Sequence, residues 1–246
     1  MGDLMKFFIP FLYIPKNYDE SLKRLGIFAF WELLIIFYCF HNTLIFGHFN
    51  KLIHIWEISN GIKQMPILIS VINPPVIISA FLFAILSYVF QIHDRISDLL
   101  KIRINFDVNN ILIPLAKKVG VQGIEAKKTK IILRRDTLMR SVFYKYASSR
   151  MDNPLVDKHD IEHAMAAWSW FWVFEEATAY FLIAAFAACV IDMYFTAIWF
   201  LIGAIILLIL AFLQYPRLKR YARPQIDAIA RDPKASQFVK QEFDAL

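Results

Sequence analysis

Glu175 and Glu176 stand side by side inside the aromatic, apolar run WSWFWVFEEATAY, residues 168–180. An ionised carboxylate is costly in such surroundings. Acids kept there serve as proton or cation ligands, or as partners of bases that share the setting. Glu32 holds a comparable position in IFAFWELLIIFYCFHNTLIF. Bases stand at the ends of other apolar runs: His93 and Arg95 after one, Arg217 after another, with Gln91 and Gln214 beside them. The pattern predicts a polar layer of Glu32, Glu175, Glu176, His93, Arg95 and Arg217. Three chemistries fit it. Glu–Arg and Glu–His contacts can fasten helices to one another. Carboxylates without a partner in this chain can be neutralised by another subunit's bases. The acids can also bind or relay protons or cations. A path for ions is interrupted within one chain, because the run AIWFLIGAIILLILAFL has no acid or base. A conductor would have to form between subunits.

His159 and His163 are four residues apart, so a helix sets both rings on one face. A zinc site built on them needs a third protein ligand and an open position for water. The run HDIEH, residues 159–163, resembles the inverted zinc-protease signature. That resemblance implies His159 and His163 as ligands and Glu162 as general base. It covers five residues, and no third ligand is placed downstream. The pair Glu175-Glu176 resembles the glutamates of intramembrane prenyl-protein endopeptidases. That family's motif ends in Arg where this chain has Tyr180, and His41-Asn42 and the later runs do not supply its histidine motifs. No activity follows from either resemblance. Cys39 and Cys189 both lie in apolar runs and make no CxxC pair. The sequence predicts no metal, no cofactor and no enzyme.

The elements that position these residues are apolar runs of membrane-spanning length. The chain has 246 residues and is 58% hydrophobic, more apolar than most soluble domains. A hydrocarbon core needs about 20 mostly apolar residues of helix. Four runs qualify: about Gly26–Gly47, Pro74–Ile92, Trp172–Ile191 and Ala197–Leu213. Asn73 before Pro74 and Pro75 is a helix start, since Asn caps and Pro suits the first turn. Only a tight turn around Asp192 joins the last two runs, which predicts an antiparallel hairpin. The N-terminal arm lacks a cleavage site for a signal peptide, and Lys6 stands where a myristoylation signal needs Ser or Thr.

Charge sets the direction. The net charge is +6, and 25 of the 27 Lys and Arg residues fall on the arm, the middle segment and the tail. Placing those three pieces in the cytoplasm satisfies the positive-inside rule. The predicted fold is therefore an all-α membrane protein with four transmembrane helices as two hairpins. Its pieces are an arm (1–25), hairpin one (26–92), a basic helical cytoplasmic region (93–165), hairpin two (166–214) and a cytoplasmic tail (215–246). On this topology Glu32, Glu175 and Glu176 share a depth in the inner leaflet, and Trp168, Trp170 and Trp172 mark the headgroup belt.

Apolar residues recur at helical spacing in IHDRISDLLKIRI and IILRRDTLMRSVFYKYA. The stretch KKTKIILRRDTLMR is basic and amphipathic; Lys127, Lys128, Lys130, Arg134, Arg135 and Arg140 are its candidate contacts with anionic lipid headgroups or an acidic partner. No nucleic-acid module is recognisable. The tail, interrupted by Pro216, Pro224 and Pro233, is expected to break into short helices suited to docking. The composition predicts a non-enzymatic inner-membrane subunit of a larger assembly, of the secretion, transfer or defence type. The alternatives are an oligomeric ion or proton conductor and a membrane zinc enzyme.

Overall fold

The structure is a computed structural model, and it describes residues 15, 17–41, 43, 74–148 and 154–246. Every regular element among them is helical. The expected Asn73 cap and the connection between the first two runs lie outside the described residues, as does most of the arm.

Helix α1, Tyr18–Phe40, begins where the Asn17 side chain accepts a hydrogen bond from the Glu20 amide, with Asp19 and Glu20 favouring the positive end of the helix dipole. It ends at Phe40, short of the expected Gly47. Helix α2, Pro74–Phe90, starts at the predicted proline. It bends by 59° into α3, Ile92–Leu99, across Gln91, whose φ is +48°. Lys101, also left-handed, leads into α4, Ile102–Phe106, a π-helical turn, Asp107–Leu112, and α5, Ile113–Lys118. Gly120 and Gly123, both at positive φ, reverse the chain. A 3-10 turn, Ile124–Lys127, α6, Lys128–Leu133, α7, Arg135–Leu138, a second π-helical turn, Met139–Tyr144, and α8, Lys145–Ala147, follow.

Two rods dominate the remainder. Helix α9, Lys158–Val190, has 33 residues and is capped by Asp157. Helix α10, Tyr194–Arg231, has 38 residues. At 1.5 Å per residue they are about 50 and 57 Å long. Gln225 donates to the Asp160 carbonyl, Tyr221 stacks on His163, and Gly203 lies against the Phe181 ring, so the rods run antiparallel. A Cβ at Gly203 would stand 2.7 Å from that ring, which is why the position is glycine. Both rods are long and apolar enough to cross a membrane, and α2 with α3 makes a third such segment if the bent pair is counted as one.

The tail does not break up as the prolines suggest. Pro216 and Pro224 lie inside α10, and only Pro233 opens a new helix, α11, Pro233–Asp244, capped by Asp232. Packing on both sides of each proline holds the helix: Ala211, Gln214, Leu218, Ala222 and Gln225 are all buried. That burial offsets the missing amide bond.

The buried side chains form two cores. One is built from Leu25 and Phe28 of α1, large residues of α4 to α8, the first half of α9, the second half of α10 and α11, with Phe106, Leu112, Ile131, Val142 and Phe243 at its centre. The other joins α1, α2, the second half of α9 and the first half of α10, and is dominated by Ala29, Ala80, Ala84, Ala184, Ala185, Ala188 and Ala197. Around this second core many large apolar side chains face outward, among them Phe83 and Val89 on α2, Ile183 and Phe186 on α9, and Phe195 and Trp199 on α10.

Candidate functional site: a carboxylate layer between two cores

The two cores meet on α9 between Val173 and Ala184, and Glu175 and Glu176 stand in that gap. Both are buried, at 6% and 1% exposure. Each takes a hydroxyl from the bent α2–α3 pair. Ser87 on α2 donates to Glu176 Oε1, and so does Tyr180 one turn along α9. Ser97 on α3 donates to Glu175 Oε2 at 2.6 Å. Adjacent residues on one helix therefore grip both arms of the 59° bend, one serine on each side of Gln91. Two hydrogen bonds from neighbouring positions on α9 thus hold the two arms of the bend.

The second oxygens differ. Glu175 Oε1 and Glu176 Oε2 are buried without a hydrogen-bond partner, as are His93 Nε2, Ser169 Oγ and Trp172 Nε1. His93 is buried, its ring 5.2 Å from Trp172, with Asp94 Oδ1 3.7 Å from Nε2. Glu32 lies within electrostatic range of Glu176. Orphaned polar atoms of this kind are rare in folded proteins and mark a place for water, a cation or a proton.

The structure places the expected members unevenly. Glu32, Glu175, Glu176 and His93 gather at one level of the bundle. Arg95 instead donates to the Phe90 carbonyl with its guanidinium 5.7 Å from the Phe90 ring, and Arg217 donates to Gln214. Among the described residues neither arginine pairs with a glutamate. Arg24, buried on α1, lies 3.7 Å over the Trp170 ring. The tryptophans pack inward: Trp168 against Phe106, Trp172 against Tyr18 and His93. They belong to the large-residue core rather than to an outward belt, because their helix is covered there by α3 and α4.

The basic stretch divides. Lys127 donates to the Phe243 and Asp244 carbonyls and Lys130 to that of Leu246, tying α6 to α11. Arg135 is buried against Asp107, Nε to Oδ2 2.8 Å, and touches Asp98 and Asp136 at 3.7 and 3.3 Å. Lys128, Arg134 and Arg140 are exposed. Asp107 was not singled out by the sequence. Burial pushes its carboxyl up to about 6, against the pull of Arg135 and Arg103. Arg103 also pairs with Asp94 at 2.6 Å, and burial, then Asp94, pushes the Tyr18 hydroxyl up to about 12. Tyr18, Arg103, Asp107, Trp168 and Gln225 line a cavity of about 340 Å³.

His163 Nε2 lies 2.9 Å from His159 Nε2, and its ring stacks on Tyr221. Among the described residues no group of three His, Cys, Asp or Glu side chains is placed to hold a metal ion. The stacking on Tyr221 gives the histidines a packing role between α9 and α10.

Fold and site together define an all-helical protein, with two helices able to cross a membrane, whose buried acids hold a bent helix pair. The family model of the YmfE protein family matches residues 17–244, and the chain belongs to that family. No curated protein and no solved structure matches it.

Proposed function

We propose that this chain is a multi-pass inner-membrane protein that serves as a non-enzymatic subunit of a larger membrane assembly. Its four spans lie within α1 from about Gly26, α2 and the halves of α9 and α10 around Asp192, and its termini and residues 93–165 lie in the cytoplasm. The observation that carries the membrane part is the reversed packing of the alanine-rich core, around which many large apolar side chains face outward. Helices in lipid pack through small residues and present large ones to the acyl chains. The distribution of basic residues supports the orientation. The subunit role draws on the extent of the basic, folded pieces outside the spans, which carry exposed bases such as Lys128 and Arg140 toward a partner. Purification in mild detergent with native mass measurement tests it. A mass above one chain with a fixed co-purifying partner is expected; a lone monomer overturns the subunit reading.

A second reading, an oligomeric proton or cation conductor, draws on the unpartnered Glu175 Oε1 and Glu176 Oε2. Proteoliposome flux separates the two. Flux abolished by Glu175→Gln and Glu176→Gln supports the conductor; no flux in the parent protein sinks it.

A further inference from the structure

Two adjacent apolar pairs, Leu99–Leu100 and Ile132–Leu133, are exposed on the unit formed by α3 to α8. Leu99 is 81% exposed and Leu100 58%, at the break after α3. Leu133 is 81% exposed and Ile132 40%, at the break after α6. The breaks are far apart in sequence but adjacent in the fold, because Arg135 reaches Asp98 at 3.7 Å. Each pair is followed directly by a base, Lys101 and Arg134, both exposed and neither in an ion pair among the described residues. The nearby acids Asp98 and Asp136 both lie against Arg135. Arg135 is shared with Asp107 as well, so the rim is mixed, and Lys101 and Arg134 are its exposed bases outside those ion pairs.

Its place in the fold supplies the occupant. Helix α3 leaves α2 at 59° and does not continue its direction. One residue before Asp98, Ser97 is bonded to Glu175 in the layer between the two cores. The outward apolar surface of α2 continues to Phe90, with exposed Arg95 over that ring. Leu99 and Leu100 thus follow the exposed apolar end of α2 by one short helix, next to the glutamate layer that separates the two cores. Apolar side chains next to bases at that level fit the acyl-chain boundary and anionic headgroups.

We propose that Leu99, Leu100, Ile132 and Leu133 insert into the inner leaflet, with Lys101 and Arg134 on anionic lipid headgroups. The patch is a second, peripheral membrane contact that holds the cytoplasmic unit against the bilayer. This rests on the spanning reading above.

The test uses the full chain with Cys39→Ser and Cys189→Ser, reconstituted in vesicles of phosphatidylcholine with or without phosphatidylglycerol. An environment-sensitive thiol probe is placed by Leu133→Cys in one sample and by Leu201→Cys, on the outer face of α10, in another. At 133 the expected result is blue-shifted emission, quenched by lipid-borne quenchers, in anionic vesicles. Lys101→Gln and Arg134→Gln should each weaken that insertion about fivefold. A water-like signal at 133 in both vesicle types, with 201 reading lipid, overturns the patch and leaves the spans standing. A water-like signal at 201 overturns the spanning reading itself. Shielding at 133 that persists without lipid and grows with protein concentration assigns the patch to self-association and likewise overturns the proposal.

Discussion

The two halves of the molecule are packed by opposite rules on the same pair of rods. In the half around Phe106, Leu112 and Ile131, large apolar side chains point inward and polar ones outward. In the half around Ala80, Ala188 and Ala197, alanines line the contacts of α2, α9 and α10, Leu33, Leu34 and Ile36 of α1 complete the core, and Phe83, Ile183 and Phe195 point outward. Burying large side chains stabilises a fold only if they would otherwise meet water. The second half gains nothing by that rule if lipid surrounds it, and close backbone approach replaces it. On the proposed topology the change of solvent falls between the two cores, at the glutamate clasp.

The comparison breaks most readily at Phe106, fully buried and edge-on to Trp168 and Tyr215. Phe106→Ala should cost about 3–5 kcal/mol, read by denaturation in detergent, because the first half depends on volume. Next is Arg135→Ala, which strands Asp107 and should cost about 3 kcal/mol near neutral pH. Asp107 adds a pH signature. Its folded value near 6 exceeds its ordinary 3.8, so its protonated form favours the fold. That contribution is full below about pH 4 and lost as pH rises through about 6. A stability profile of Asp107→Asn should be flatter across that window than the parent's.

The second half should respond to added rather than removed volume. Ala188→Leu, at a fully buried alanine, should cost about 1–3 kcal/mol by forcing the helices apart. A loss as large from Phe195→Ala, whose side chain faces outward, would contradict the division. Smaller still, Ser97→Ala should cost about 1 kcal/mol by removing one bond to Glu175. Spin labels on α2 and α3 should then report a wider spread of bend angles.

Long apolar periodicity made α9 and α10 legible in the sequence, and Asn73-Pro74 made the start of α2 legible at Pro74. Glu175 and Glu176 were legible because acids in an aromatic run stand out. Their partners were not. Ser87 and Ser97 are ordinary helical residues, and only the bend at Gln91 brings both to α9. Arg95 and Arg217 had the right charge and level but the wrong helix face. The prolines of α10 misled because local propensity was outweighed by packing along a rod buried on one side. Asp107 and Arg135 are separated by 28 positions, and nothing local announces that one is buried against the other.

The connection between α9 and α10 is three residues, Ile191 to Met193, with Asp192 in the left-handed region and bonded by Tyr194. On the proposed topology this bears on biogenesis. Almost no hydrophilic mass has to be carried across during synthesis, since Asp192 is the one charge in the turn. The two rods can enter as a preformed pair, each supplying the other's close-packed face. A long or charged insertion at Asp192 would turn that step into export of a polar segment, and the penalty would appear in the yield of inserted protein before any change in its folded stability.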